Sequence, residues 1–231
     1  MTTDEVQFYL RHRGQITAWA KLEKRVDALM RDAVKQGAVD KAIQLLKGDS
    51  GDKDVDFYVR NRSLITQWDG LQSAAGQALH NALQSAAQDA GAAADTGKRG
   101  HSSAHFPTEH LTGRLWVWDD HGVRVQLWWI RQHLMSTRRQ YAFPRLFLSL
   151  NRHRWKGERG DALAAATRAA AHELGMTKHD HWAVHWCLLD PITESQDLES
   201  YAADCIARLQ EASVTLYPLL ADAIAASEAR T

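Results

Sequence analysis

Residues 6–34, VQFYLRHRGQITAWAKLEKRVDALMRDAV, recur without a gap as residues 55–83, VDFYVRNRSLITQWDGLQSAAGQALHNAL, at an offset of 49. Ten of the 29 aligned positions are identical: Val6/Val55, Phe8/Phe57, Tyr9/Tyr58, Arg11/Arg60, Arg13/Arg62, Ile16/Ile65, Thr17/Thr66, Trp19/Trp68, Leu22/Leu71 and Ala33/Ala82. Chance does not readily supply that agreement, so the two stretches read as a duplicated module. At about 100° per residue, Phe8, Ile16, Trp19, Leu22, Val26, Met30 and Ala33 fall in one helical stripe. Phe57, Ile65, Trp68, Leu71, Ala75, Leu79 and Ala82 repeat it, so each copy is expected to be one long amphipathic helix. Thr2 to Glu5 reads as a capping box for the first, and Asp52 or Asp54 as the cap of the second. Ala38 to Leu46 suggests a short helix between the copies, and Gly48-Asp49-Ser50-Gly51 a turn.

Working outward, the helical part (residues 1–90) gives way to a small-residue stretch read as a linker and loop over 91–113. From residue 114 the period changes from 3.6 to 2. Arg114–Trp118 and Val123–Arg131 read as a hairpin, Arg145–Trp155 as a third strand and Trp182–Leu189 as a fourth. Asp161–Leu174 reads as an Ala-rich helix, and Ser195 to about Ala226 as a long helix kinked near Pro218. The expected fold is α+β: a duplicated long-helix module packed on a four-stranded mixed sheet with flanking helices, in αβββαβα order, the sheet part occupying 114–231.

The chain begins without a secretory signal pattern and no run approaches the ~18 apolar residues of a membrane span. Its two cysteines, Cys187 and Cys205, suit a reducing compartment. A cytoplasmic protein is expected. The net charge of zero conceals a strong asymmetry. Residues 121–157 hold Arg124, Arg131, Arg138, Arg139, Arg145, Arg152, Arg154 and Lys156 and no acid, whereas residues 175–231 carry three basic against nine acidic side chains.

The basic segment is interleaved with Trp128, Trp129, Tyr141, Phe143, Phe147 and Trp155. Guanidinium forks for phosphates and π-faces for bases are the components of nucleic-acid surfaces. Arg124, Trp128, Arg131, Arg138, Arg139, Arg152, Arg154 and Lys156 are therefore the candidate residues for a nucleic acid or another polyanion. Strand alternation sends Leu115, Val117, Val125, Leu127, Leu146, Leu148 and Leu150 inward and Trp116, Trp118, Arg124, Gln126, Trp128, Phe147, Ser149, Asn151 and His153 to the other face. Pairing of these arginines with the acidic C-terminal helix is the competing account. A second candidate surface is Arg13, Thr17, Arg62 and Thr66, with Val6 and Val55, kept in both copies opposite the apolar stripe. These residues either touch the other copy or the sheet, or form a binding surface displayed twice. The corresponding function is a protein-interaction module, homodimerisation included.

His179, His181, His185 and Cys187 raise the question of a metal. On an extended strand His181 and Cys187 lie too far apart for one ion to join, so no metal or cofactor is expected. The order helix, three strands, helix, strand over residues 54–190, closed by HWAVHWCLLDP and a long helix, resembles the core of the PD-(D/E)XK nuclease-like superfamily. The resemblance implies an Asp and an (Asp/Glu)-x-Lys on neighbouring strands holding a divalent metal. The third strand here, RLFLSLNRHRWK, has no acid, and neither Glu109, Asp119 nor Asp120 is followed by a matching x-Lys. The resemblance thus implies a non-catalytic member, with a divergent metal-dependent nuclease as the remaining reading.

Overall fold

A computed structural model describes residues 2–96, 101–105, 123–135, 144–150, 158–178 and 183–228. The chain divides into two compact units, Met1–Ala75 and Gly76–Thr231. Six α-helices and six strands follow one another among the described residues: α1 (Thr3–Ala20), α2 (Leu22–Lys35), α3 (Val39–Lys47), α4 (Lys53–Asp89), β1 (Ala93–Thr96), β2 (His101–His105), β3 (Val123–Ile130), β4 (Arg145–Leu150), α5 (Glu158–Glu173), β5 (Thr177–Lys178), β6 (Ala183–Leu188) and α6 (Leu198–Glu228). The α+β class follows from this order. None of the described helices is long and apolar enough to cross a membrane.

In the first unit the capping box is complete: Glu5 N–H donates to Thr2 Oγ1 at 3.3 Å and Thr2 N–H to Glu5 Oε2 at 2.8 Å. Asp52 caps α4, accepting from the amides of Asp54 and Val55. The second copy is a continuous helix, but the first is not. It divides into α1 and α2 at Lys21, which keeps right-handed angles (φ −65°, ψ −23°).

The two copies run antiparallel and meet through their repeated aromatics. Phe8 packs on Trp68 at 5.5 Å between centroids and Trp19 on Phe57 at 5.2 Å, with Trp19 and Trp68 6.1 Å apart between them. Each contact is the other's image under exchange of the copies, which is an internal two-fold arrangement. Beside it Val26, Leu45, Val55, Tyr58 and Ile65 form a buried cluster flanked by Trp19, Leu22, Met30 and Val59. The α3–α4 turn needs glycine at Gly48, where φ is +67° and a Cβ would lie 3.0 Å from the Asp56 carbonyl oxygen. Asp56 itself accepts from Ser50 N–H, Ser50 Oγ and Gly51 N–H, tying that turn down.

Val6 and Val55 are core residues, as are Tyr9 and Tyr58, so the face opposite the predicted stripe is partly buried. The reason is that α4 and α1–α2 bury a band wider than either stripe alone.

In the second unit all six strands form one sheet, in the order β1-β2-β3-β4-β6-β5, and every pairing is antiparallel. This replaces the expected four-stranded mixed sheet. Residues 93–96 and 101–105, expected to be linker, are two of the strands. Their Ala and Ser residues carry little strand signal of their own. They fit because Ser102 and Ala104 stand opposite the bulky Trp129 and Leu127. The two-residue β5 is a further strand beyond the expected four. The chain leaves β4, returns through α5 to β5 and then doubles back, so that β6 inserts between β4 and β5 antiparallel to both. Over residues 54–190 the order is thus one helix, four strands, a helix and two strands among the described residues. Arg114–Trp118, expected as a strand, lies outside them.

Candidate nucleic-acid interface

Alternation along β3 and β4 sorts the side chains as their polarity requires. Val125, Leu127, Trp129, Leu146 and Leu148 are buried on one face. The last part of α4, together with α5 and α6, packs on that side. Trp129, fully buried, donates its indole N–H to His80 Nδ1 of α4 at 2.9 Å. Gly76 brings α4 close to the end of β3, where a Cβ would meet the Arg131 carbonyl oxygen at 2.9 Å. Burial, with the nearby Arg131 charge, lowers the His80 pKa below the ordinary imidazole value.

The opposite face carries Gln126, Trp128 and Ile130 of β3, Arg145 and Phe147 of β4, and Trp186 and Leu188 of β6. Trp128 meets Phe147 edge-to-face at 5.1 Å. Phe147 stands directly opposite Trp186 in the register, and the Arg145 guanidinium lies over the Trp186 ring, 4.5 Å from its centroid. Three aromatics on three adjacent strands, with one arginine stacked among them, make a continuous aromatic–cationic tract. All three rings are half-buried; Arg145 is buried, and that burial lowers its pKa from the usual guanidinium value. Arg145 remains a cation, because no protein environment deprotonates arginine.

The predicted residues divide accordingly. Trp128 is in the tract. Arg124 is on β3, paired in register with Ser149. Arg131 is not in the tract: it begins a 3-10 turn, Arg131–His133, and donates to Gln77 Oε1 of α4 at 2.9 Å, on the helix-covered side. Arg138, Arg139, Arg152, Arg154 and Lys156 lie outside the described residues. Arg145 and Trp186 were not singled out by the sequence. The signal for them was strand parity: Arg145 is two residues from Phe147, and Trp186 alternates with the inward-facing His185 and Cys187.

Of the repeated polar residues, Arg62 reaches the other copy. Arg62 donates to Glu23 Oε1 of the first copy at 3.4 Å and lies against the Tyr58 hydroxyl. Arg13 is close to Tyr9, whose pKa burial pushes up to about 12. Thr17 accepts the Lys21 amide through its carbonyl, while Thr66 is exposed. Arg62 therefore belongs to the contact between the copies.

The acidic helix α6 packs on the helix-covered side, across an open groove of about 720 Å³ that Leu146 and Cys187 line from the sheet and Tyr201, Asp204, Cys205 and Arg208 from the helix. Arg145 is on the opposite side of the sheet from α6. On α6 itself Arg208 pairs with Glu211 at 2.9 Å. Neither groove thiol is a poised nucleophile, since burial raises Cys187 and pushes Cys205 up to about 12. His185 is buried on the helix-covered face, and no group of three His, Cys, Asp or Glu able to hold a metal occurs among the described residues. No protein-family model, curated protein sequence or solved structure matches this chain.

Proposed function

We propose that this protein binds nucleic acid without cleaving it, through the sheet face that carries Trp128, Phe147, Arg145 and Trp186. The observation that supports this reading is the aromatic–cationic tract across β3, β4 and β6 on the side away from α4, α5 and α6. Half-buried rings offer π-faces to unpaired bases, and stacking contributes about 1–3 kcal/mol per base. Arg124 on β3, and in sequence Arg138, Arg139, Arg152, Arg154 and Lys156 in the segments flanking β4, supply the charge for phosphates. Cleavage forms no part of the reading, because β3, β4 and β6 contain no carboxylate to place beside a scissile phosphate.

The test is fluorescence anisotropy of labelled single- and double-stranded oligonucleotides across a salt series. Three or four engaged cations give a slope of log K against log salt near −2 to −3 for single strands, at about 0.7 per phosphate. Trp128→Ala weakens single strands more than duplex; Arg138→Ala/Arg139→Ala weakens both and flattens the slope. Absence of binding to either at about 50 mM salt and micromolar protein sinks the proposal.

A further inference from the structure

The nine residues of α3, VDKAIQLLK, are apolar over too wide an arc for the contacts the helix makes. At about 100° per residue, Leu45 and Ala42 mark one edge of that arc and Val39, Ile43 and Leu46 the other. Only the first edge is used. Leu45 is 4% exposed in the cluster with Val26, Val55, Tyr58 and Ile65. Val39, Ile43 and Leu46 are 66%, 43% and 66% exposed. Single exposed apolar residues are ordinary, but three at i, i+4 and i+7 on one short helix form a stripe that water covers unfavourably.

The charges beside the stripe indicate its occupant. Asp40, at the N-terminal end of α3, and Lys47, at its C-terminal end, stand in one row along the same flank. Both are exposed, and neither makes an ion pair among the described residues. We propose that a second copy of this chain docks on the stripe, α3 against α3, antiparallel about a two-fold axis. A rotation that exchanges two antiparallel helices keeps a flanking row on its side and reverses its direction. Each protomer's Asp40 then faces the other's Lys47, twice per dimer, with Ile43 near the axis. A parallel two-fold carries the row to the opposite side of the interface, where no Asp40 meets a Lys47, so only the antiparallel arrangement pairs the charges. The helix dipoles act in the same sense. At 1.5 Å per residue α3 is roughly 13 Å long, so the interface is small and its dissociation constant falls in the micromolar range or weaker.

Sedimentation equilibrium of the full chain, from about 1 µM to several hundred micromolar, tests this. A monomer–dimer equilibrium is expected. Ile43→Glu raises the dissociation constant at least about tenfold with unchanged circular dichroism, as befits an exposed position. Asp40→Lys and Lys47→Asp each weaken the dimer several-fold, and the combined exchange restores it to within about threefold of the wild type. That restoration distinguishes pairing across the axis from an effect on the helix dipole, which the combined exchange makes worse. A protein that stays monomeric throughout overturns the proposal. So does a dimer indifferent to Ile43→Glu, or a combined exchange as weak as either single one.

Discussion

Trp129→Phe perturbs one hydrogen bond in the most deeply buried part of the sheet unit. The indole is fully buried and its N–H reaches His80 Nδ1 at 2.9 Å. Phenylalanine leaves His80 with an unpaired acceptor, at about 1–3 kcal/mol, and removes part of a bicyclic ring that the surroundings refill only partly, at about 1 kcal/mol more. The expected loss is about 2–4 kcal/mol. His80→Leu leaves the indole N–H unpaired instead and is expected to cost about 1–3 kcal/mol. With both replaced, no polar atom is stranded. The double variant is therefore more stable than the sum of the singles implies, by about 1–2 kcal/mol. Urea denaturation of the four proteins measures this, with the slope on denaturant held constant.

The same pair makes stability depend on pH. Protonating Nδ1 abolishes the acceptor, and burial and Arg131 already hold the His80 pKa below its unfolded value. The unfolded chain thus takes up the proton first, near pH 6.5. The contribution is fully present above that pH and is lost as pH falls from there toward the lower folded pKa. His185 is shifted in the same direction by burial, so His80→Leu should flatten the fall between about pH 7.5 and 5 without abolishing it. A coupling energy below about 0.5 kcal/mol, together with parallel pH profiles for wild type and His80→Leu, refutes the reasoning.

Trp19→Ala and Trp68→Ala occupy equivalent places in the internal two-fold, so their costs should match within about 1 kcal/mol, each near 2–4 kcal/mol by chemical denaturation. A loss below about 1 kcal/mol for either shows that its ring is not part of the contact between the copies. Gly48→Ala and Gly14→Ala should move thermal stability in opposite directions. The first forces a Cβ against the Asp56 carbonyl oxygen at positive φ and costs more than about 1 kcal/mol. Gly14, inside α1 with nothing within 4 Å of its Cβ position, gains about 0.5–1 kcal/mol. Equal melting shifts for the two substitutions contradict the backbone assignment at Gly48.

Features written within a few residues of one another were legible without a structure. The repeat exposed the paired helices, and Thr2, Glu5 and Asp52 marked their starts, because a cap is satisfied by amides two or three residues away. The period-2 pattern of β3 and β4 placed Val125, Leu127, Leu146 and Leu148 inward, because alternation is a property of a single strand. What depends on a partner distant in sequence was decided by the fold. Tyr9 and Tyr58 became core only when the copies met antiparallel. Residues 101–105 became a strand beside the Trp129 strand, which supplies hydrogen bonds and the bulk that Ser102 and Ala104 fit, and residues 93–96 became one beside 101–105 in turn. Arg131 and Arg145 are equivalent in a count of charges. The register, set by pairing with β4, β6 and α4, ties one to Gln77 and stacks the other on Trp186, because which neighbours a side chain meets is fixed by strand pairing and not by its own type.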